Sequence, residues 1–443
     1  MKKTLLLLTA LLVGVSSFAD GFDDHFENAT LRLDYIFSGT SKTQHIAFLE
    51  AYRTEVWAGR RSNLEKPLLA GNGEISVRDA ATGKLLYSNS FSSLFQEWQN
   101  TEEATTTEKG FENCFQVPWP KRPVTVTVTL MDKYRKVTCR MSHPVDPADI
   151  LIRPLKPKNA YRQILGGGYC ADNIDVAIVG DGYSKYDLGK FYADANRAVE
   201  AITGHEPFKS LAGKFNFVAV AAVSDDSGVS VPHDSTWRNT CLSSHYDTFY
   251  TERYLTTSNM RQLYFQLAGI PFEHIIVLVN TPNYGGGGIY NSVTLAASDH
   301  PTFEQVLVHE FGHEFAGLAD EYFYDDQFDV SYPAKVEPWE PNITTLTDFR
   351  SKWSDMLPQG MKIPTKPDPE WTGVDVRKIW KDLSQEQKDA LNIKLGVYEG
   401  AGYQSKGVFR PVQECRMKIN ECERFCPVCS RAIENMVRYY TEN

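Results

Sequence analysis

The chain has 443 residues, of which 42% are hydrophobic and 23% are charged, so it has the composition of a globular protein with room for two or three domains. Its formal net charge is -10. An acidic chain without basic clusters argues against nucleic acid or an anionic membrane surface as the main partner.

The first twenty residues are typical of a signal peptide. Lys2 and Lys3 precede an apolar run over residues 5–15, and Ser17 and Ala19 supply small side chains at the cleavage positions. The alternative is an uncleaved anchor, but the run is shorter than the roughly 20 residues that cross a bilayer. We therefore predict cleavage after Ala19, a secreted or periplasmic mature chain of net charge -12, and no stable membrane insertion.

Residues 20–155 are predicted to form an all-β, sandwich-like domain. Short β-prone runs are separated by Gly, Asn and Asp, and no long amphipathic helix interrupts them. The runs cover residues 31–37, 74–79, 124–131 and 136–141. Valine and threonine alternate from Val124 to Thr129, which predicts one buried and one solvated face.

A second domain is predicted over residues 156–443, after a linker at residues 154–168 that contains two prolines and three consecutive glycines. Residues 173–179, 215–223 and 274–279 are apolar enough for buried strands. Ser184 is expected to open a helix over residues 184–201, with Asp187 at its capping-box position. Strands that alternate with helices predict an α/β sheet with at least three largely parallel strands.

The segment that carries chemistry is a helix predicted over residues 302–318, where Thr302-Phe303-Glu304-Gln305 fits a capping box. His309 and His313 are then one turn apart on one face, a spacing that suits two ligands of a tetrahedral zinc ion. Glu310 can reach an adjacent water without binding the metal itself. Zinc lowers the pKa of water to about 7, so Glu310 is the predicted general base and then acid.

The continuation of this segment is specific. The string HEFGHEFAGLADEY, residues 309–322, resembles the IgA peptidase family of zinc metallopeptidases, relatives of the metzincins. Cys415-Arg416-Met417 resembles the methionine turn beneath a metzincin site, and residues 425–429 are similar to the family's C-terminal signature. The resemblance covers residues 160–443. It implies a metzincin-like α/β zinc peptidase domain preceded by the family's N-terminal domain, Zn²⁺ as cofactor and protein or peptide substrates.

The third zinc ligand departs from the commonest metzincin pattern. That pattern places it ten residues after the first histidine, where this chain has Ala319, which cannot bind a metal. The glycine also lies one place later, at Gly317, so the turn is shifted by one residue. Asp320 becomes the predicted third ligand and Glu321 the alternative. Two histidines with one carboxylate form a known catalytic zinc set.

Eight cysteines in an exported chain favour disulfides. Four of them crowd near the C-terminus, at Cys415, Cys422, Cys426 and Cys429. The alternative for these four is a second, structural zinc site, since Cys426-Pro427-Val428-Cys429 has ligand spacing. Disulfides are the expectation.

Two weaker signals flank the predicted helix. Four glycines at 285–288 indicate either an edge strand that approaches a peptide substrate closely or a flexible loop. Tyr322, Tyr398 and Tyr403 are candidate donors to the oxyanion of the reaction.

The sequence thus predicts a secreted zinc metalloendopeptidase whose zinc is held by His309, His313 and Asp320. Its substrate is a protein, and the family's name points to immunoglobulin A, although other glycoproteins fit as well. The alternative is an exported binding or adhesion protein with a structural or inactive zinc site. A closed structural site would have no use for Glu310 beside an open position.

Overall fold

The computed structural model describes residues 21–324, 331–371 and 373–442. The predicted signal peptide, residues 1–19, lies outside the described residues. Within the described ranges, no helix has both the length and the apolar character needed to cross a membrane.

Residues 22–154 form two four-stranded sheets around one apolar core. The strands in chain order are β1 (Phe26–Gly39), β2 (Gln44–Thr54), β3 (Gly73–Asp79), β4 (Leu85–Phe91), β5 (Lys109–Pro120), β6 (Val124–Met131), β7 (Val137–Val145) and β8 (Arg153–Pro154). The helices are α1 (Phe22–His25) and α2 (Leu94–Trp98). One sheet has the order β5-β1-β2-β8 and the other β4-β3-β6-β7.

The predicted alternation of buried and solvated residues in β6 is confirmed. Val124, Val126, Val128 and Leu130 are buried, and the threonines between them are partly exposed. The buried valines join Leu31 and its β1 neighbours in the shared core, so residues from both sheets fill one interior. This region is mainly β, with only short helices among its strands.

A six-stranded sheet dominates the rest of the chain. Its elements are β9 (Tyr161–Leu165), β10 (Ile174–Asp181), α3 (Leu188–Thr203), β11 (Phe215–Val220), α4 (Met260–Gln266), β12 (His274–Val279), β13 (Gly286–Ile289), β14 (Val293–Ala297) and α5 (Phe303–Ala316). The order is β13-β14-β12-β10-β11-β9. The four central strands are parallel, which confirms that prediction, and the two edge strands are antiparallel to their neighbours.

Three local predictions were wrong in detail. The expected linker contains β9, because its backbone pairs with β11 along the open edge of the sheet. Helix α3 begins at Leu188, since Asp187 accepts from the backbone and hydroxyl of Ser184 in a turn that precedes the helix. Thr302 precedes α5 without a capping box, because its hydroxyl bonds His300 Nδ1 at 2.8 Å.

The remaining elements follow α5 in the chain. They are β15 (Phe323–Tyr324), α6 (Val376–Ile379), α7 (Gln385–Asn392), β16 (Tyr398–Ala401), β17 (Tyr403–Arg410) and α8 (Pro427–Thr441). Helix α5 lies against β13 and β14 on one side and against α3 and α8 on others. Its apolar residues Leu307, Phe311 and Phe315 share a core with Met417 and Ile433, so the helix that carries the histidines is held on several sides.

The two regions are joined by a buried ionic network. Arg32 and Asp34 of β1 form a bidentate pair, with atom separations of 2.7 and 2.8 Å. Arg261 of α4 binds the same carboxylate at 3.1 Å, and its carbonyl accepts from Arg32 at 3.2 Å. The N-terminal region is thereby fixed against the side of the six-stranded sheet.

Candidate active site

The two histidines of α5 point their outer ring nitrogens at one place. His309 Nε2 and His313 Nε2 are 3.0 Å apart. The inner nitrogens are taken up by backbone carbonyls: His309 Nδ1 donates to Arg416 O at 3.0 Å and His313 Nδ1 to Leu318 O at 2.5 Å. These bonds orient both rings and direct each Nε2 towards the place where a metal would bind.

Asp320 reaches the histidines because the helix ends at Gly317. That glycine has a left-handed φ of 59°, and Leu318 N donates back to Gly312 O at 3.3 Å, so the chain folds under the helix. Asp320 Oδ1 then lies 3.1 Å from His309 Nε2 and 3.4 Å from His313 Nε2. The structure brings together the three residues that the sequence singled out.

These three groups fit a zinc ion in both spacing and charge. Zinc ligands at about 2.0–2.1 Å in a tetrahedron are roughly 3.3 Å apart, close to the 3.0, 3.1 and 3.4 Å separations here. Burial lowers the pKa of His313, but Asp320 outweighs it and raises that pKa to about 9. Despite its burial, Asp320 has a pKa well below its usual range because the imidazoles are close. The pocket therefore attracts positive charge.

Glu310 lies beside these three residues. Its carboxylate is within 4.8 Å of the nearest ligand nitrogens of His309 and His313. Burial raises the pKa of Glu310, while the two histidines oppose that rise. A carboxylate with a raised pKa next to a metal pocket suits proton transfer.

Met417 forms part of the floor. Its side chain is buried, and a Cβ atom built on Gly312 would lie 3.1 Å from its sulfur, so the turn at Met417 packs directly against the helix between the histidines. The neighbouring carbonyl of Arg416 is the one that accepts from His309. The backbone of Met417 also binds Glu321 N at 2.8 Å. One turn thus positions a histidine and the segment that carries Asp320.

Glu321 faces away from the histidines. Its Oε1 accepts from Asn342 Nδ2 at 2.9 Å and lies 3.2 Å from Cys429 Sγ. The alternative third ligand is therefore engaged elsewhere in this structure.

The three candidate tyrosines have different positions. Tyr403 donates its hydroxyl to Asp320 Oδ2, and the ring of Tyr322 lies 5.3 Å from that of Tyr403. Tyr398 is buried and donates to Lys394 O at 3.4 Å. The structure places two of the candidates at the site and Tyr398 in packing.

The glycine tract forms a strand. Residues Gly286–Ile289 make β13 at the edge of the six-stranded sheet, which rules out the loop interpretation. Its glycines are needed for close approach to α5. A Cβ atom on Gly288 would lie 2.2 Å from Glu310 O, and one on Gly286 would lie 2.9 Å from Glu310 Cγ.

Sequence reasoning missed three residues around the site. Tyr254 donates to the carboxylate of Glu97, which comes from α2 in the N-terminal region. Burial raises the pKa of Glu97 to about 7, and the charged groups of the site also shift this pKa. Asn342 is buried and holds both backbone groups of Ala319, at 2.7 and 2.9 Å. Each acts over a long sequence separation, and no local pattern indicates it.

The expected disulfides are not borne out. All eight cysteines lie in the described part of the chain and all are free thiols. At the C-terminal group, the sulfurs of Cys415 and Cys429 are 3.9 Å apart, with the carboxylate of Glu321 beside them. They gather as a cluster and not as bonded pairs.

Two family models match the chain. One, described as IgA Peptidase M64, matches residues 163–437, a range that includes His309, Glu310, His313 and Asp320. The other, described as Peptidase M64 N-terminus, matches residues 21–142. No curated protein matches the chain.

Proposed function

The chain belongs to the IgA peptidase M64 family, which consists of metallopeptidases, and we propose that it is a zinc-dependent endopeptidase with a metzincin-like catalytic domain. The observation that carries the proposal is the convergence of His309, His313 and Asp320 within 3.0–3.4 Å of one another. We propose that these three residues hold the zinc ion and that Glu310 is the catalytic residue.

A zinc ion bound here would supply the Lewis acid that activates water and polarises the scissile carbonyl. Glu310 would accept the proton of the attacking water on a carboxylate oxygen and deliver it to the leaving amine. Its raised pKa helps the first transfer, because the protonated form is then less costly to reach. Tyr403 would hold the carboxylate of Asp320 through its hydroxyl.

Strand β13 supports a mode of substrate binding. Gly285 O accepts from Ala297 N at 3.3 Å, so by the alternation of an antiparallel ladder Gly286 and Gly288 direct their backbone groups to the outer edge. Gly286 O accepts from Leu255 N at 3.5 Å. An extended peptide would therefore pair at Gly288, next to Glu310. We propose cleavage within extended or locally unfolded segments of proteins such as immunoglobulin A or other glycoproteins.

The N-terminal features are proposals as well. We propose cleavage after Ala19, export to the periplasm or the exterior, and a division into domains at residues 20–155 and 156–443. The mass of the mature N-terminal peptide, measured on protein from its own cells, tests the cleavage. A chain that retains its first nineteen residues would contradict it.

Metal removal tests the proposed activity. Purified protein should contain zinc and hydrolyse unfolded casein, lose that activity after treatment with a chelator and regain it with added Zn²⁺. Zinc without any hydrolysis of peptides would contradict the proposal in favour of a binding protein. Activity on esters or sugars alone would indicate a different zinc hydrolase.

A further inference from the structure

We propose that the chain binds a second metal ion, a structural Zn²⁺, in a cluster of one carboxylate and three thiols on the far side of the turn that carries Asp320. The cluster consists of Glu321, Cys415, Cys426 and Cys429. All four residues are fully buried, with 0% of each exposed, and their ligand atoms lie within 4.8 Å of one another. The proposal does not depend on peptidase activity, because the ligands of this second site differ from His309, His313 and Asp320.

The spacing within the cluster suits a metal ion. The sulfurs of Cys415 and Cys429 are 3.9 Å apart, and Cys429 Sγ is 3.2 Å from Glu321 Oε1. A tetrahedral zinc with sulfur at about 2.3 Å has sulfur-to-sulfur edges of roughly 3.8 Å. A disulfide would need about 2.05 Å. The cluster is therefore near the size of a closed zinc site.

The backbone around the cluster favours thiolates. Cys426 N donates to Cys415 Sγ at 3.3 Å, and Cys429 N donates to Cys426 Sγ at 3.5 Å. Cys426 is the N-cap of α8, a helix of 15 residues, and the positive end of a helix dipole stabilises a thiolate. The spacing of two residues between Cys426 and Cys429 presents both sulfurs from the start of the helix.

Glu321 gives a second, independent indication. It is fully buried, and among the described residues its Oε2 atom has no hydrogen-bond partner. A buried carboxylate oxygen without a partner is costly, and a bound cation would remove that cost. Arg410 and Arg416 are buried nearby and interact electrostatically with Glu321 and Cys415, respectively, which would offset the negative charge of three thiolates.

Cys422 lies outside the cluster, although its sequence position suggested otherwise. Its sulfur contacts Asn392 Nδ2 at 3.4 Å and Arg424 O at 3.5 Å, and its side chain joins a small apolar cluster with Trp380 and Leu391. Glu321 occupies the fourth ligand position in its place. Cys422 is thus the matched control for the three cluster cysteines.

The proposed ion would join three segments that build the peptidase site. Glu321 follows Asp320 directly, Cys415 lies two residues before Met417, and Cys426 begins α8. Binding these side chains to one ion would hold the floor of the site and the turn of Asp320 together. The role is structural, because the ligands are enclosed.

Cobalt substitution of the full chain, purified under reducing conditions, tests the site. We expect about two ions per wild-type chain, together with the charge-transfer absorption of thiolate bound to Co²⁺. His309→Ala/His313→Ala should keep that absorption and lose one ion. Cys426→Ser/Cys429→Ser should lose the absorption, and Cys422→Ser should behave as the wild type.

Two results would overturn the proposal: wild-type protein without thiolate absorption, or mass spectrometry of unreduced protein that finds Cys415 bonded to another cluster cysteine. The histidine variant keeps all four ligands of the proposed second site. Its absorption therefore tests that site even if the cysteine variant fails to fold. Thiolate absorption in a wild-type chain that hydrolyses no peptide would contradict the proposed peptidase and leave the second site standing.

Discussion

Asp320 and Glu321 are adjacent in sequence, yet their carboxylates lie on opposite sides of one turn. Asp320 Oδ1 faces His309 Nε2 at 3.1 Å, and Glu321 Oε1 faces Cys429 Sγ at 3.2 Å. The backbone of Glu321, bound to Met417 O at 2.8 Å, fixes this division. Neighbouring acids that look equivalent in the sequence therefore belong to different sites.

This relationship predicts different effects for the two alanine variants. Asp320→Ala should lose the zinc that supports hydrolysis, and activity should fall by more than the roughly 10- to 100-fold typical of a residue that only contacts a ligand. Glu321→Ala should retain a greater share of the activity and weaken the thiolate absorption of the cobalt-substituted protein. Equilibrium dialysis and casein hydrolysis of both variants decide the matter. The reverse order of activity would transfer the third-ligand role to Glu321.

Tyr403 should act through Asp320. Tyr403→Phe removes the hydroxyl that binds Asp320 Oδ2, so we expect zinc affinity or activity to fall about 10- to 100-fold. Tyr398→Phe is the matched control from the neighbouring strand, because its hydroxyl binds only Lys394 O at 3.4 Å. Competition with a metal indicator measures both affinities. Equal zinc affinities for the two variants would show that Tyr403 does not support Asp320 as a ligand.

Gly286 lies too close to Glu310 to accommodate a side chain. A side chain there would meet Val306 Cγ1 at 2.8 Å and Glu310 Cγ at 2.9 Å, so Gly286→Val should displace Glu310 and keep the metal. A displacement near 1 Å can lower the rate by about 100-fold, and this loss should be similar for short and long peptides. Gly189→Ala, which adds a Cβ in open space, is the control. A loss confined to long peptides would instead assign Gly286 to substrate pairing alone.

The network between the two regions should contribute strongly to stability. Asp34 is fully buried between Arg32 and Arg261, so Asp34→Ala leaves buried positive charge without a partner. We expect the free energy of unfolding to fall by about 3–5 kcal/mol. Glu27→Ala breaks an exposed pair with Arg53 in the same sheet and should cost less than about 1 kcal/mol. Urea denaturation that gives the two variants similar stabilities would show that the network is weak.

Regular, locally encoded elements were predictable from the sequence. The period of β6, the apolar run of β12 and the spacing of His309 and His313 follow from nearest-neighbour patterns, and the structure has them as expected. Gly317 ends α5 in the left-handed region, which glycine adopts readily. In these cases the residue's own conformational preference and the tertiary structure agree.

Features that depend on distant partners were not predictable. Strand β13 consists mostly of glycine, which weakens a strand by itself, but Cβ atoms on Gly286 and Gly288 would clash with α5. The side chain of Asp187 accepts a hydrogen bond from Ser184 before the helix begins. Capping rules based on sequence do not distinguish this turn from a capping box. Glu97 contacts Tyr254, and Glu321 contacts Cys429, each across more than 100 residues of sequence. Their roles appear only once the chain is folded.

Glu310→Gln tests the central claim most directly. The amide has nearly the same shape but cannot accept the proton of the attacking water, so zinc content should be unchanged while casein hydrolysis falls by about 100- to 10,000-fold. Glu304→Gln, an exposed position in the first turn of the same helix, should keep full activity. The measurement is the rate of casein hydrolysis by zinc-loaded Glu310→Gln. A loss of the predicted size supports the account, and a rate close to that of the wild type would contradict it.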